Sequence, residues 1–238
     1  MAGSGAREII ELATQLGSVL SEDQASLMLA HLDAVLEANT RLNLTAIADR
    51  NEAIRLHIAD SLALLEELAA QDGRVADIGS GAGYPAIPIA IGTGHPIDMI
   101  ESVKKKAAFL TECVGKLGGL WGSKVLPMRA EEAALRSPGE YQHVTARALT
   151  SLPALVELAS PLLAVGGSLW AMKGAPTFDE LESGSAAALL VGMRETGRRE
   201  YRLPIVEERR MIVSYEKVSE PAIPLPRRVG LAQKKPLA

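Results

Sequence analysis

The 238 residues, 47% of them hydrophobic, suffice for one α/β domain with a small appendage, and the single Cys113 excludes an internal disulfide framework and a cysteine-based metal cluster. No apolar run approaches the length that spans a membrane, so we expect neither export nor a membrane partner and place the protein in the cytoplasm. The net charge of −4 is unevenly spread, since residues 1–100 hold 5 basic and 14 acidic side chains, whereas residues 101–238 hold 20 basic and 15 acidic ones. This distribution fits a protein that binds a polyanion on one side, and it also fits an ordinary solvated surface.

The N-terminal part of the chain predicts helices. Residues 6–20, 22–40 and 52–70 each repeat apolar side chains at intervals of three or four. Ser21 and Gln24 have the spacing of a capping box at the start of the second helix. We therefore predict a helical N-terminal extension, residues 1–70, that packs on the domain following it.

Three polar residues of the third predicted helix, His57, Asp60 and Ser61, share one face of that helix. Their types are those of a hydrolase triad, but side chains on one helix project side by side. In a triad, the base must lie between the nucleophile and the orienting acid. We expect a hydrogen-bond network at the rim of a pocket instead.

The stretch after the helical extension predicts a strand, a glycine loop and a helix. Residues 75–78 are mostly apolar and indicate a short buried strand. Gly79, Gly81 and Gly83 then predict a turn, and Pro85 before an apolar run predicts the start of a helix. Glycines at such a turn let the backbone approach a ligand closely, although a tight turn without a ligand would also need them.

The spacing of these glycines separates the loop from the dinucleotide-binding pattern, in which the third glycine would stand where Tyr84 does. The run from Asp77 to Gly83 instead resembles motif I of class I S-adenosylmethionine methyltransferases. In that class the loop wraps the methionine end of the cofactor, and an acid that ends the second strand takes the ribose hydroxyls. Glu101, at the end of a strand predicted over residues 96–101, is the acid in that place.

Strands and helices alternate through the rest of the chain. Helices are predicted over residues 104–117, 131–136, 152–163 and 178–193, and strands over residues 125–128, 142–147, 167–174, 201–206 and 211–215, the last two as an antiparallel edge pair. The alternation predicts an α/β fold with a mostly parallel, doubly wound, Rossmann-like sheet over residues 71–220. Residues 221–238 are rich in proline and predict an extended basic tail.

Several separated motifs resemble, in their order, those of the glucose-inhibited division protein B family. They are Asn43-Leu44-Thr45, His57-Ile58-Ala59-Asp60-Ser61, the run from Asp77 to Pro88, Ala130-Glu131, Ala146-Arg147-Ala148, Met172-Lys173-Gly174, and Pro226-Arg227-Arg228 through Lys234-Lys235-Pro236-Leu237. That family consists of bacterial guanine-N7 methyltransferases of 16S rRNA that act on a loop near the decoding centre. The resemblance implies the class I methyltransferase fold, S-adenosyl-L-methionine as cofactor and 16S rRNA of the small ribosomal subunit as partner.

The resemblance also implies roles for single residues. The cofactor would be held by Asp77, Gly79, Gly81, Gly83, Tyr84, Glu101, Ala130, Glu131 and Arg147. Arg147 would close the site, and with Arg129 it would position the substrate base. Arg or Lys can donate to guanine O6 or neutralise phosphate, so we predict RNA contacts for Lys105, Lys106, Lys173, Arg227, Arg228, Lys234 and Lys235. For each of these cations the alternative is a surface salt bridge.

The residues at the predicted site indicate which atom is methylated. Exocyclic-amine methyltransferases usually carry Asn or Asp, two prolines and an aromatic residue after the fourth strand, where this chain has Ala146-Arg147-Ala148-Leu149. Carbon-5 methyltransferases need a cysteine nucleophile, whereas Cys113 falls within a predicted helix. Guanine N7 already has a free lone pair, so its methylation requires positioning and no general base.

Alternatives remain at this stage. They are a small-molecule methyltransferase on the same fold, a non-catalytic ribosome assembly factor that retains a cofactor pocket and, more remotely, a nicotinamide dehydrogenase. The four histidines fit no metal-ligand spacing, so we expect no metal. We also expect a monomer.

Overall fold

Seven strands form one sheet in the computed structural model, which describes residues 4–69 and 72–238. In chain order the strands are β1 (Val75–Ile78), β2 (Ile97–Ile100), β3 (Lys124–Leu126), β4 (Tyr141–Arg147), β5 (Leu163–Lys173), β6 (Met193–Arg202) and β7 (Arg209–Lys217). Their spatial order is β3-β2-β1-β4-β5-β7-β6. Strands β1 to β5 are parallel, and β7 runs antiparallel to both of its neighbours. The predicted mostly parallel, doubly wound sheet is therefore confirmed.

Helices precede, separate and follow these strands. The described helices are α1 (Ser4–Gln15), α2 (Glu22–Leu42), α3 (Arg50–Ala53), α4 (Ala59–Leu62), α5 (Leu65–Ala69), α6 (Ala86–Thr93), α7 (Lys104–Lys116), α8 (Ala130–Arg136), α9 (Leu152–Ala159), α10 (Phe178–Leu190) and α11 (Leu231–Lys234). A π-helical segment, Ile54–Ile58, joins α3 to α4. None of the described helices is long and apolar enough to cross a membrane.

The order of the strands determines where a ligand can bind. The chain moves outward from β1 to β2 and β3, then returns to the other side of β1 with β4 and β5. In open α/β sheets, a crevice forms at the carboxyl ends of the strands where this direction reverses. The glycine loop follows β1 at that point, and Arg147 ends β4 beside it.

The N-terminal helices share a hydrophobic core with one face of the sheet. Leu32 of α2, Ile58 of the π segment and Ile87 of α6 are fully buried in this core. The side-chain amide of Gln24 donates to the carbonyl oxygens of Ile91 and Gly92, both at 3.0 Å, and so ties the start of α2 to the end of α6. The boundary predicted between residues 70 and 71 falls outside the described residues.

The third predicted helix, residues 52–70, is wrong as one continuous element. The chain passes through α3, the π segment, α4 and α5 instead. In the π segment the backbone N–H of Ala59 bonds to the carbonyl of Ile54, five residues earlier. The carbonyl of Leu56 accepts a hydrogen bond from Arg147, which compensates for the altered helical pattern.

Three predictions in the C-terminal part of the chain are also corrected. Helix α10 ends at Leu190 rather than residue 193, because Gly192 adopts a φ of +73°, which does not continue a helix. Strand β6 then begins at Met193, before the predicted start at residue 201. Residues 203–206 of the strand predicted over 201–206 belong to the turn before β7, which spans residues 203–208. The predicted extended tail contains α11, and Ala232 in that helix is only 2% exposed. The tail therefore packs on the domain.

Candidate active site

The loop between β1 and α6 holds the three predicted glycines in conformations that other residues rarely adopt. Gly79, Gly81 and Gly83 have φ angles of +72°, +57° and +95°. A Cβ atom on Gly79 would lie 2.6 Å from Cδ1 of Leu149. The glycines therefore keep the backbone open at the carboxyl end of the central strand.

Glu101 follows β2 and faces the glycine loop. Its Oε2 accepts a hydrogen bond from the backbone N–H of Gly81 at 2.9 Å, and its Oε1 accepts one from Val103 at 2.7 Å. A carboxylate has about four lone-pair positions, so each oxygen can still accept a hydroxyl group. Glu101, the residue predicted to bind the ribose, thus holds the glycine loop in place and keeps acceptor positions that fit the expected cofactor.

Asp77 lies in β1 and is fully buried. Thr145 of β4 donates its hydroxyl to Oδ1 of Asp77 at 2.7 Å, whereas Oδ2 has no hydrogen-bond partner among the described residues. Burial disfavours the charged carboxylate and raises its pKa to about 6. A buried carboxylate with an unmatched oxygen suits a cationic amino group, such as the one at the methionine end of the expected cofactor.

A narrow cleft, with a cavity volume of about 30 Å³, opens beside the glycine loop. It is lined by Ile78, Gly79, Ile100, Ser102, Met128, Arg129, Ala130, Glu131, Leu149, Leu158 and Gln233. Ala130 and Glu131, predicted to hold adenosine, thus lie in its wall, and Arg129 lies exposed at its rim. The carboxylate of Glu131 is buried and accepts the backbone N–H of Gly230 at 2.7 Å. Apolar walls with a few buried polar groups are typical of a small-molecule site.

A second cavity, of about 380 Å³, lies beyond the carboxyl ends of β4 and β5. It is lined by Ile47, Leu56, His57, Asp60, Arg147, Ala148, Met172, Lys173, Gly174 and Arg210. Three cations, Arg147, Lys173 and Arg210, share this lining with one carboxylate. Lys173 also pairs with Glu180 and Arg210 with Glu208, so the cavity offers charged hydrogen-bond donors rather than a surplus of positive charge.

The guanidinium of Arg147 is held by the π segment and by α4. Its Nη1 donates to the carbonyl of Leu56 at 3.1 Å and to Oδ2 of Asp60 at 3.0 Å. Asp60 is buried, and its other oxygen accepts the Tyr201 hydroxyl at 2.7 Å and lies 3.6 Å from Nε of Arg210. Asp60 thus organises two of the cations in the second cavity.

His57 is neutral and connects Arg147 to the loop after α2. Its Nδ1 lies 3.2 Å from Nη2 of Arg147, and its Nε2 lies 2.7 Å from Oγ1 of Thr45. A guanidinium can only donate, so Nδ1 of His57 accepts the hydrogen bond from Arg147. The hydrogen of the neutral ring is therefore on Nε2, which donates a hydrogen bond to Oγ1 of Thr45. Burial and, secondly, the charge of Arg147 lower the pKa of His57 to about 3. The predicted network of His57 and Asp60 at a pocket rim is found, and Ser61 is bonded within its own helix.

Tyr84 packs between two histidines at the end of the glycine loop. Its ring stacks on His57 with centroids 4.8 Å apart and contacts His31 at 4.6 Å. The guanidinium carbon of Arg147 lies 5.4 Å from the ring centroid. His31 donates from Nε2 to the carbonyl of Ala82 at 2.8 Å, and burial lowers its pKa to about 4. The glycine loop is thereby packed against the N-terminal helices.

The predicted RNA-contacting cations lie in different surroundings. Lys105 is exposed and Lys106 half-buried in the first turn of α7, whereas Arg228, Lys234 and Lys235 are exposed near the C-terminus. Lys173 lies 2.7 Å from Glu180 and donates to the Thr150 carbonyl. Arg227 forms a two-bond ion pair with Glu157, whose side chain is 3% exposed. Its guanidinium is therefore engaged in an ion pair, which is the alternative to RNA contact that the sequence left open.

Sequence reasoning missed three residues of this region. Tyr201 and Arg210 reach Asp60 from β6 and β7, and Gln233 reaches the first cleft from α11. The short apolar β7 pattern beginning at Met211 was the only available signal near Arg210. For Tyr201 and Gln233 the sequence offered none, because the residues that they approach lie far away in the chain.

Cys113 and the histidines are not arranged for other chemistry. Cys113 lies on α7, is 2% exposed, and has a pKa raised by burial to about 11. Within residues 4–69 and 72–238, no group of three or more His, Cys, Asp or Glu side chains is placed to hold a metal ion.

Comparison with known proteins places these features in context. A family model described as rRNA small subunit methyltransferase G matches residues 24–203. The chain is 37% identical to the ribosomal RNA small subunit methyltransferase G of Chloroflexus aggregans, with 100% of both chains covered, and 35% identical to the protein of the same name from Pelotomaculum thermopropionicum, with 98% of each covered. An O-methyltransferase from Bacillus cereus in complex with SAH superposes with a TM-score of 0.54 at 16% identity, over 79% of this chain and 90% of that one. This structural likeness shows a methyltransferase fold.

Proposed function

Because the chain belongs to the rRNA small subunit methyltransferase G family, we propose that it methylates N7 of one guanine in 16S rRNA, in the loop near the decoding centre. Family membership makes it an S-adenosylmethionine-dependent rRNA methyltransferase. The proposal adds the base, the atom and the location. It places the protein with the small subunit in the cytoplasm and requires one copy of the chain.

The residues around the first cleft fit the cofactor. Asp77 offers an unmatched buried oxygen, the glycine loop leaves its backbone uncovered, and Glu101 keeps lone pairs for the ribose. Ala130 and Glu131 would hold the adenosine part. When bound, the cofactor supplies a methyl group activated by a sulfonium.

The observation that carries the N7 assignment is the engagement of His57 and Asp60. Both line the second cavity, and both accept hydrogen bonds from Arg147. Arg210 and Tyr201 further engage Asp60, and the pKa of about 3 keeps His57 neutral. The site is thus built to hold a substrate in place rather than to remove a proton. Guanine N7 suits it, because this atom has a lone pair and no hydrogen.

The charges of the second cavity suit a guanine nucleotide in RNA. Guanine presents O6 and N7 as neighbouring acceptors, and Arg or Lys is the usual donor to that edge. Arg147, Arg210 and Lys173 lie in the lining, with Asp60 between the two arginines. Lys173 and Arg210 also pair with Glu180 and Glu208, so the phosphates on either side of the base would share these two cations with those carboxylates.

The test is methyl transfer from labelled S-adenosylmethionine to small ribosomal subunits that lack the modification. Chemical cleavage at N7-methylguanine then locates the product, and we expect one cleaved guanine in 16S rRNA. Label incorporated without such cleavage would exclude N7 as the acceptor. Cofactor binding without any transfer to subunits or to naked 16S rRNA would favour the small-molecule methyltransferase or the assembly factor.

A further inference from the structure

The C-terminal segment, from Arg227 to Lys235, is anchored to the domain by an ion pair with a buried carboxylate. Arg227 donates from Nε and Nη2 to the two carboxylate oxygens of Glu157, at 2.6 and 2.5 Å. Nη2 also donates to the carbonyl oxygen of Lys235 at 2.7 Å. One guanidinium thus fixes both ends of the segment against α9. Leu158, the next residue on that helix, lines the first cleft.

Between these anchors the C-terminal segment reaches the cleft itself. Gly230 donates its backbone N–H to Oε1 of Glu131 at 2.7 Å, and Glu131 belongs to the cleft wall and is 6% exposed. Gln233 lines the cleft directly, and its neighbour Ala232 is buried in the adjacent core. The segment therefore forms one wall of the cleft in which Ala130 and Glu131 lie.

We propose that the C-terminal segment is part of the cofactor-binding site and closes its adenine end. Gln233 is a binding residue, and Arg227 is a positioning residue that acts through Glu157. The amide of Gln233 combines a donor and an acceptor, the pairing that matches the edge of an adenine base. The identity of the ligand rests on the proposed function, whereas the closed wall is a feature of the fold.

The position of the cations explains why Arg227 differs from its neighbours. Arg228, Lys234 and Lys235 are exposed on the outer side of the C-terminal segment, whereas Arg227 faces α9. A long charged side chain that is paired with a buried carboxylate holds two elements together at fixed distance. The segment thus has an inner, anchoring cation and an outer set of cations that stays free for solvent or RNA.

The experiment measures binding of S-adenosylhomocysteine by calorimetry, without RNA. Gln233→Ala and Arg227→Met should each raise the Kd about tenfold. Since Arg227→Met leaves Glu157 buried and unpaired, the double variant Arg227→Met, Glu157→Gln removes both partners and should show the same loss. Val229→Ala, a half-exposed position in the same segment, and Arg136→Met, an exposed cation at the end of α8, should bind like the parent.

The outcomes separate the two proposals. Gln233→Ala and the double variant binding within about twofold of the parent would overturn the role of the C-terminal segment and leave the methyltransferase assignment standing. No binding by the parent protein would overturn the proposed function and this inference together. Weakened binding in both variants, with unchanged controls, supports the segment as a cofactor wall.

Discussion

The buried carboxylate of Asp77 should lower the stability of the ligand-free protein as the pH rises. Burial raises its pKa from the ordinary value of 3.8 to about 6 in the folded protein. At a pH between these two pKa values, the carboxyl group of Asp77 is still protonated in the folded state but has lost its proton in the unfolded state. The free energy of unfolding therefore falls with rising pH. This stabilising contribution is fully present below about pH 4 and is lost above about pH 6.

The magnitude follows from the same two pKa values. At about 1.4 kcal/mol for each pKa unit, their difference corresponds to about 3 kcal/mol. Asp77→Asn has the same shape, keeps an acceptor for the Thr145 hydroxyl and does not ionise. Going from about pH 4 to about pH 8, the free energy of unfolding of the variant relative to the parent should thus rise by about 3 kcal/mol. Other ionisable groups are common to both proteins and largely cancel.

Urea titrations of both proteins at several pH values measure this difference. A constant difference from about pH 4 to about pH 8 would refute the reasoning. Thr145→Val removes the hydroxyl donor that favours the charged carboxylate, so the fall in the free energy of unfolding should extend to higher pH. Thr145→Ser keeps the hydroxyl, so the fall should occur over the same pH range as in the parent. Asp77→Asn should also weaken binding of S-adenosylhomocysteine at about pH 8. The carboxylate that destabilises the ligand-free fold would then be the one that the cofactor needs.

Three further predictions concern the second cavity and the thiol. Arg147→Ala should lower kcat/KM for methyl transfer about a hundredfold with folding retained. Arg147→Lys should not restore the rate, because one ammonium group cannot reach both Asp60 and His57. A parental rate in Arg147→Ala would refute the positioning role of Arg147. The pH profile of methyl transfer should show no step from His57 near neutrality, since its pKa is about 3, and a step that disappears in His57→Gln would contradict this. Cys113→Ala should keep full transfer, and iodoacetamide should alkylate the native thiol slowly because burial raises its pKa to about 11; rapid alkylation would show an accessible thiolate.

The parts of the site that the sequence predicted have local causes. Gly79, Gly81 and Gly83 are required by the conformation of one turn, and that requirement is visible in seven consecutive residues. Glu101 ends a short apolar strand, so its place at the edge of the sheet follows from strand order. Such signals depend on neighbours in sequence, which is why pattern analysis finds them.

The parts that it did not predict depend on partners far apart in sequence. The ion pair of Arg227 was not predicted, because nothing in its neighbourhood marks Glu157 as a buried partner 70 positions earlier. Most of β6 was not predicted as a strand, because its side chains are mainly arginine and glutamate. They alternate between half-buried and exposed positions without the apolar residues that usually indicate a strand. The predicted helix over 52–70 contains a π segment, and Leu56 of that segment and Asp60 of α4 accept hydrogen bonds from Arg147 of another element. These contacts join residues that are far apart in sequence, so no local pattern indicates them.

The glycine loop is fixed from three sides, and this suits a reaction that depends on positioning. Glu101 holds the loop from β2 through the N–H of Gly81, and His31 holds it from α2 through the carbonyl of Ala82. Tyr84, at its end, lies against His57 and Arg147. The last two contacts join the cofactor loop to the second cavity, since both residues line that cavity. We therefore expect the N-terminal helices to contribute to the active site, and a substitution in α2 at His31 should lower the measured rate of methyl transfer without touching either ligand.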